Sequence, residues 1–207
     1  MPKNSKTLHK GFLRKLKALD DTRTKFEAAF RSSIILDEDI RQAYAGLYLD
    51  LFTEFENLIE ELFLGILKGD IKPNNVLVRS IIKIKPIAEL ETVMHGTKAK
   101  KYFDWLPYSD TTLPRAKIYL TDGNPFTFLT DIQKNRIANY HTIRNAIAHK
   151  SKKAMNEFNT FTSGLTLLPI EQTPQGYLRN VPNPATGKTQ LEIMSDELQA
   201  ITYTLCN

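Results

Sequence analysis

The chain has 207 residues, 42% of them hydrophobic, which is enough for one sizeable core and predicts a single domain over 1–207. Its formal net charge of +5 favours polyanionic partners without identifying one. Cys206 is the only cysteine, which excludes a disulfide framework or a cysteine-built metal centre within one chain. No apolar signal segment follows the basic N-terminus, and no run reaches the roughly 20 apolar residues of a membrane span, so the expectation is a cytoplasmic protein with no membrane partner.

Charge is unevenly spread along the chain. Residues 1–32 carry nine Lys/Arg against three Asp/Glu, and residues 37–70 carry two against nine. Leu8, Phe12, Leu16, Leu19, Phe26 and Phe30 recur at helical spacing and predict a long amphipathic helix over 6–31 with a basic outer surface. Lysines with no interleaved aromatic read first as a solvated face and second as a nucleic-acid contact. Ser32-Ser33 breaks that helix, and Asp37-Glu38-Asp39 opens the next with acids at its positive end.

From Ile40 to Leu67 runs the strongest periodic segment. Ile40, Tyr44, Leu47, Leu51, Phe55, Leu58 and Leu62 form one row; Tyr48, Phe52, Ile59, Phe63 and Ile66 form a second beside it. An apolar arc this wide predicts burial on two sides, as in the central helix of a bundle or a subunit interface. Asp50, Glu54, Glu56, Glu60 and Glu61 fill the remaining arc and read as a solvated face. A second reading has Glu54 or Glu56 reaching a basic group at Arg144. Gly69 and Pro73 end the helix.

Arg79 to Pro86 alternates apolar and basic residues too briefly to decide between helix and strand. A short helix is expected around Ile87–Met94, then a loop holding an exposed His95, a core Trp105, and a helix near Thr112–Leu120. Asn124-Pro125 is read as a helix start, running through Phe126, Leu129, Ile132, Ile137, Tyr140, Ile143 and Ile147 to His149. A short helix or loop then reaches Phe161. Over 164–194 glycine, proline and threonine rise, and two β-prone stretches, Tyr177 to Val181 and Thr189 to Ile193, flank Pro182 to Gly187. That predicts a small β-hairpin extension, with a last helix opening at Ser195. The fold class is therefore mainly all-α, a helical bundle with one hairpin near the C-terminus.

Gly187-Lys188-Thr189 fails as a phosphate-binding loop, because Pro182 stands where that pattern needs glycine. No nucleophile elbow and no His/carboxylate set with metal-ligand spacing is present, so no metal or cofactor is expected. What is left is Ile143-Arg144-Asn145-Ala146-Ile147-Ala148-His149-Lys150. At about 100° per residue, Asn145 and His149 stack one turn apart and Arg144 lies about 140° round from His149, on one broad arc. Lys134, Arg136, Lys150, Lys152 and Lys153 leave the window from Ile132 to Asn156 without an acid. Arg144, Asn145 and His149 are the candidate catalytic residues. Lys150, Lys152, Lys153 and His141 are candidates for holding substrate, His141 reading equally as a surface residue.

Arg144-Asn145-Ala146-Ile147-Ala148-His149 resembles the arginine–four residues–histidine motif of HEPN-domain ribonucleases. The polar residue after the arginine and the place near the end of a late helix fit that pattern. With the long helix around Tyr48 to Glu56 and the segments Gly176 to Arg179 and Thr189 to Glu192, the chain is similar to the RiboL-PSP branch. The resemblance implies a HEPN-like helical bundle that dimerises so that two motif helices line a shared cleft. It implies metal-independent endoribonuclease activity leaving 2′,3′-cyclic phosphate and 5′-hydroxyl ends, in a toxin, phage-defence or stress-response setting. Implied partners are RNA, a second copy and an antitoxin or regulatory protein. The alternative is a non-catalytic HEPN-type module that binds RNA, a nucleotide or a protein. Ser151 stands where some HEPN toxins carry a tyrosine modified by a nucleotidyltransferase antitoxin, so that control is not implied for this chain.

Overall fold

The computed structural model describes residues 2–74, 77–81 and 104–207. Their elements are β1 (Lys3–Asn4), α1 (Ser5–Arg31), α2 (Asp37–Lys68), β2 (Ile71–Lys72), α3 (Leu113–Tyr119), α4 (Asp131–His149), α5 (Lys152–Thr162), α6 (Pro174–Arg179) and α7 (Gln190–Cys206). The protein is mainly all-α. Among the described residues β-structure amounts to β1 beside β2, parallel, with Lys3 opposite Ile71 and Asn4 opposite Lys72, plus one bridge between Ser80 and Leu120. The expected helix at Ile87–Met94 and the loop at His95 lie outside the described residues. Among those described, no helix is long and apolar enough to cross a membrane.

The two longest helices follow the apolar periodicity. Ser33 takes a left-handed φ of 56° between them, and the Asp39 carboxylate accepts from the Leu36 N–H at 2.8 Å to start α2. Both predicted rows of α2 are buried, with Ile40, Tyr44, Tyr48, Phe52, Phe55, Ile59, Leu62 and Phe63 fully so. Gly69 closes the helix at φ +75°, which lets the Asp70 N–H return to the Gly65 carbonyl at 2.8 Å.

Two compact units can be distinguished. One comprises Met1–Lys10, Glu56–Ile137 and Ile201–Asn207. There Phe63 packs on Trp105 and Phe126 at centroid distances of 5.1 and 5.4 Å, and the Trp105 indole donates to Glu60 at 3.0 Å. The Tyr108 hydroxyl donates to the Phe126 carbonyl at 2.8 Å. Ser5 donates to the Cys206 carbonyl at 2.6 Å, and His9 Nδ1 lies 3.1 Å from the Thr202 hydroxyl.

The other unit comprises Gly11–Phe55 and Ala138–Ala200. The Tyr48 hydroxyl donates to the Tyr140 carbonyl at 2.6 Å, tying α2 to α4. Tyr177 meets Phe158 and Phe161 edge-on at 5.9 and 5.7 Å. Arg179 grips Glu27 through Nε at 3.0 Å and Nη2 at 3.3 Å, with its guanidinium over the Phe30 ring at 4.3 Å. This unit holds the whole of the Arg144 region.

Three expectations are corrected. The hairpin over 164–194 is absent: Tyr177 to Arg179 lie in α6, and Gln190 to Ile193 open α7, which therefore begins before Ser195. The reason is capping. Thr173 accepts from the Gly176 N–H at 3.1 Å with Pro174 as the first helical residue, and Thr189 and Glu192 form a reciprocal capping box. Gly176 is needed there because a Cβ would strike the Ile170 carbonyl. Finally, Asn124-Pro125 leads into a single 3-10 turn, Phe126–Phe128; α4 starts at Asp131, where Thr130 and Gln133 cap each other at 3.0 and 3.3 Å.

Candidate active site

The rotation of α4 is set by its apolar residues. Ile143, Ala146 and Ile147 are buried, so His141, Arg144 and Asn145 fall on the half-exposed flank and His149 reaches solvent at the last turn. Lys150 ends the helix in a left-handed conformation, φ 50°. Ser151 at once caps α5, accepting from the Ala154 N–H at 3.2 Å. The negative end of α4 and the positive end of α5 are thus a few residues apart. Lys152 and Lys153 occupy the first turn of α5, where the helix dipole disfavours cations. Both are exposed, and an anion placed there would relieve the repulsion.

Four side chains form a hydrogen-bonded row. Arg144 Nη1 lies 3.2 Å from His149 Nε2 and 3.1 Å from Asn145 Oδ1. Asn145 Nδ2 lies 3.4 Å from His141 Nε2. Arginine only donates. In this hydrogen bond His149 Nε2 is therefore the acceptor, in the tautomer that carries the ring proton on Nδ1. Asn145 accepts at its oxygen and has its amino group left for His141, whose Nε2 must also accept. The row thus holds a ring nitrogen's lone pair beside a fixed positive charge, a base and an oxyanion donor that become available together once a phosphate draws Arg144 away from Nε2. Arg144 makes these bonds through Nη1, leaving Nη2 and Nε as further donors.

Electrostatics separate the two histidines. The His141 ring is half-buried and stacks on Phe52, 6.3 Å between centroids and 20° between planes. Burial, then the Arg144 charge, holds its pKa below the ordinary 6.5; Glu157 opposes this and His149 adds to it. His149 is open to solvent.

The structure thus brings Arg144, Asn145, His149 and His141 together, with Lys150, Lys152 and Lys153 exposed just beyond them. His141 is turned inward against Phe52, which corrects its reading as a surface residue: the same flank of α4 that exposes Arg144 packs against α2. Glu54 does not orient Arg144, because its carboxylate is bound by Lys15 of α1. Glu56 falls in the first unit and Arg144 in the second. Sequence reasoning missed Phe52 and Glu157 as neighbours of the site. Glu157 had a local signal, being one turn beyond Lys153, whose ammonium lies 3.9 Å away.

Among the described residues no group of three or more His, Cys, Asp or Glu side chains is placed to hold a metal ion. No family model matches the chain, and no curated protein or solved structure matches it significantly.

Proposed function

We propose that the protein is a metal-independent endoribonuclease acting through Arg144 and His149. The resemblance to the HEPN motif suggests the chemistry. The observation that carries it is His149 Nε2, exposed at the helix end 3.2 Å from the Arg144 guanidinium. When a bound phosphate draws the Arg144 guanidinium to itself, the Nε2 lone pair is released; a ribose 2′-hydroxyl gives up its proton there, and its oxygen attacks the adjoining phosphorus. The bond from phosphorus to the 5′-oxygen breaks, leaving a 2′,3′-cyclic phosphate and, once that oxygen is protonated, a 5′-hydroxyl. Arg144 turns Nη2 and Nε to the phosphate oxygens as negative charge grows on them. Lys150, Lys152 and Lys153 hold neighbouring phosphates, and Asn145 keeps the guanidinium in place.

The leaving oxygen needs an acid. His141 is unsuited, since its pKa is held below the ordinary value and it carries little proton at neutral pH. The acid in this proposal is the protonated histidine of a second copy, so that the working enzyme is a homodimer with a composite site. A toxin, phage-defence or stress-response role, with an antitoxin or other regulator restraining it, belongs to the same reading.

The test is end-labelled RNA incubated with the protein in EDTA, beside His149→Ala. Cyclic-phosphate ends made only by the unmodified protein are expected. Equal cleavage by His149→Ala refutes the proposal; RNA binding without product would leave the non-catalytic module.

A further inference from the structure

We infer that His141 is a positioning residue: its neutral Nε2 fixes the orientation of the Asn145 amide and, through it, the aim of Arg144 at His149, so that protonating His141 disassembles the site. The part concerning RNA cleavage rests on the function proposed above; the hydrogen-bond row itself does not.

The argument is one of donors and acceptors. The guanidinium has no lone pair, so the Asn145 end facing it must be the oxygen. The amino end then faces His141, 3.4 Å away, and needs a lone pair there. A protonated His141 has none. It would meet the amino group donor to donor, and the amide would have to turn over to satisfy it. Turning over would present the amino group to Arg144, again donor to donor. Nothing in the row tolerates this, so one proton at His141 costs Arg144 its anchor two bonds away.

The surroundings keep that proton off at neutral pH. Arg144 and His149 face the ring from α4 and disfavour its charge; Glu157 of α5 favours it; Phe52 of α2 covers it and carries none. Burial adds to the first pair. The stack on Phe52 also holds the imidazole plane, so that Nε2 stays directed at Asn145. The site is therefore assembled above the titration of His141 and lost as pH falls through it.

The first experiment reads the rings without substrate, by nitrogen-15 NMR of the imidazoles in the full-length protein at pH 8. Expected are a neutral His141 ring with the proton on Nδ1, and an upward shift of the His141 titration in Asn145→Asp, whose carboxylate accepts from a protonated ring. A His141 ring protonated at Nε2 in the unmodified protein overturns the inference, as does an Asn145→Asp variant in which His141 titrates unchanged. The second experiment is the pH dependence of cleavage. His141→Gln keeps an acceptor that does not titrate. Its acid limb should hold a slope of about 1 in log rate against pH where the unmodified protein steepens towards about 2. His141→Leu should lower kcat by about tenfold to a hundredfold with KM little changed, as expected for lost aim. Identical acid limbs in the unmodified protein and His141→Gln overturn the inference. If the rings behave as stated and no RNA is cut, the ribonuclease proposal fails while the row stands.

Discussion

Arg144→Lys separates charge from geometry at the candidate site. The guanidinium spends Nη1 on Asn145 and His149, at 3.1 and 3.2 Å, and keeps Nη2 and Nε for a phosphate. A lysine carries a single nitrogen. Its N–H groups diverge from that one atom, and if it holds Asn145 as Nη1 does, the parallel pair of bonds to a developing phosphorane is gone. Losing one such donor typically costs about 2.7–4 kcal/mol of transition-state stabilisation, or roughly a hundredfold to a thousandfold in rate. Ground-state affinity should change little, because the positive charge stays. Single-turnover cleavage with labelled RNA measures the first quantity, and fluorescence anisotropy at several salt concentrations measures the second. The expected pattern is near-normal binding with a rate down about a hundredfold. Cleavage by Arg144→Lys at the unmodified rate would refute the reasoning, since a point charge would then suffice. A fall in binding that accounts for the whole effect would refute it as well, placing Arg144 in affinity rather than in the chemical step.

Reversing the two exposed lysines of α5, Lys152→Glu with Lys153→Glu, should weaken RNA binding and flatten its log–log salt dependence by about 1.4, some 0.7 for each single-strand phosphate contact; an unchanged slope would show that they touch no phosphate. Arg179→Ala removes a two-pronged bond to Glu27 and the cover on Phe30, leaving a carboxylate that is 13% exposed with the Tyr44 hydroxyl at 2.9 Å. It should cost about 2–3 kcal/mol in urea unfolding at pH 7. Burial opposes the charge on Glu27, but the bonds from Arg179 and Tyr44 outweigh it and hold its pKa below 4.5, so the loss should shrink as pH falls through that range. A cost that does not vary with pH would count against this account. His9 and His141 both titrate below 6.5, His9 through burial, so unfolded chains take up protons first as pH drops. Stability should therefore fall between about pH 6.5 and the folded values, and His9→Gln should flatten that fall; parallel curves for the two proteins would refute it.

The helical class and the candidate residues were legible because both depend on short-range geometry. Two apolar rows at helical spacing suffice to mark the buried face of α2, whatever covers it, and Gly69 marks its end. Arg144, Asn145 and His149 lie on one helix, so the pitch of that helix alone puts them on a common arc. The hairpin error was also local. Thr173-Pro174 and Thr189 with Glu192 are capping signals in the sequence, but the glycine, proline and β-prone residues around them suggest a turn between strands. Helix is favoured because each cap satisfies backbone N–H groups that a solvent-exposed turn would leave to water, and because Tyr177 on α6 has Phe158 and Phe161 to pack against.

Side-chain alliances across the chain were decided only by the tertiary structure. Glu54 is committed to Lys15, thirty-nine positions away, and so does not reach Arg144. His141 looks like a surface residue on its own helix until Phe52, on α2, covers it. That cover makes a neutral imidazole the cheaper state and turns the residue's free nitrogen towards Asn145. Periodicity tells which face of a helix is buried, because burial depends on the pattern within that helix. It does not tell which partner lies opposite, and the partner sets the dielectric, the protonation and the hydrogen bonds that make Arg144 and His149 a candidate site.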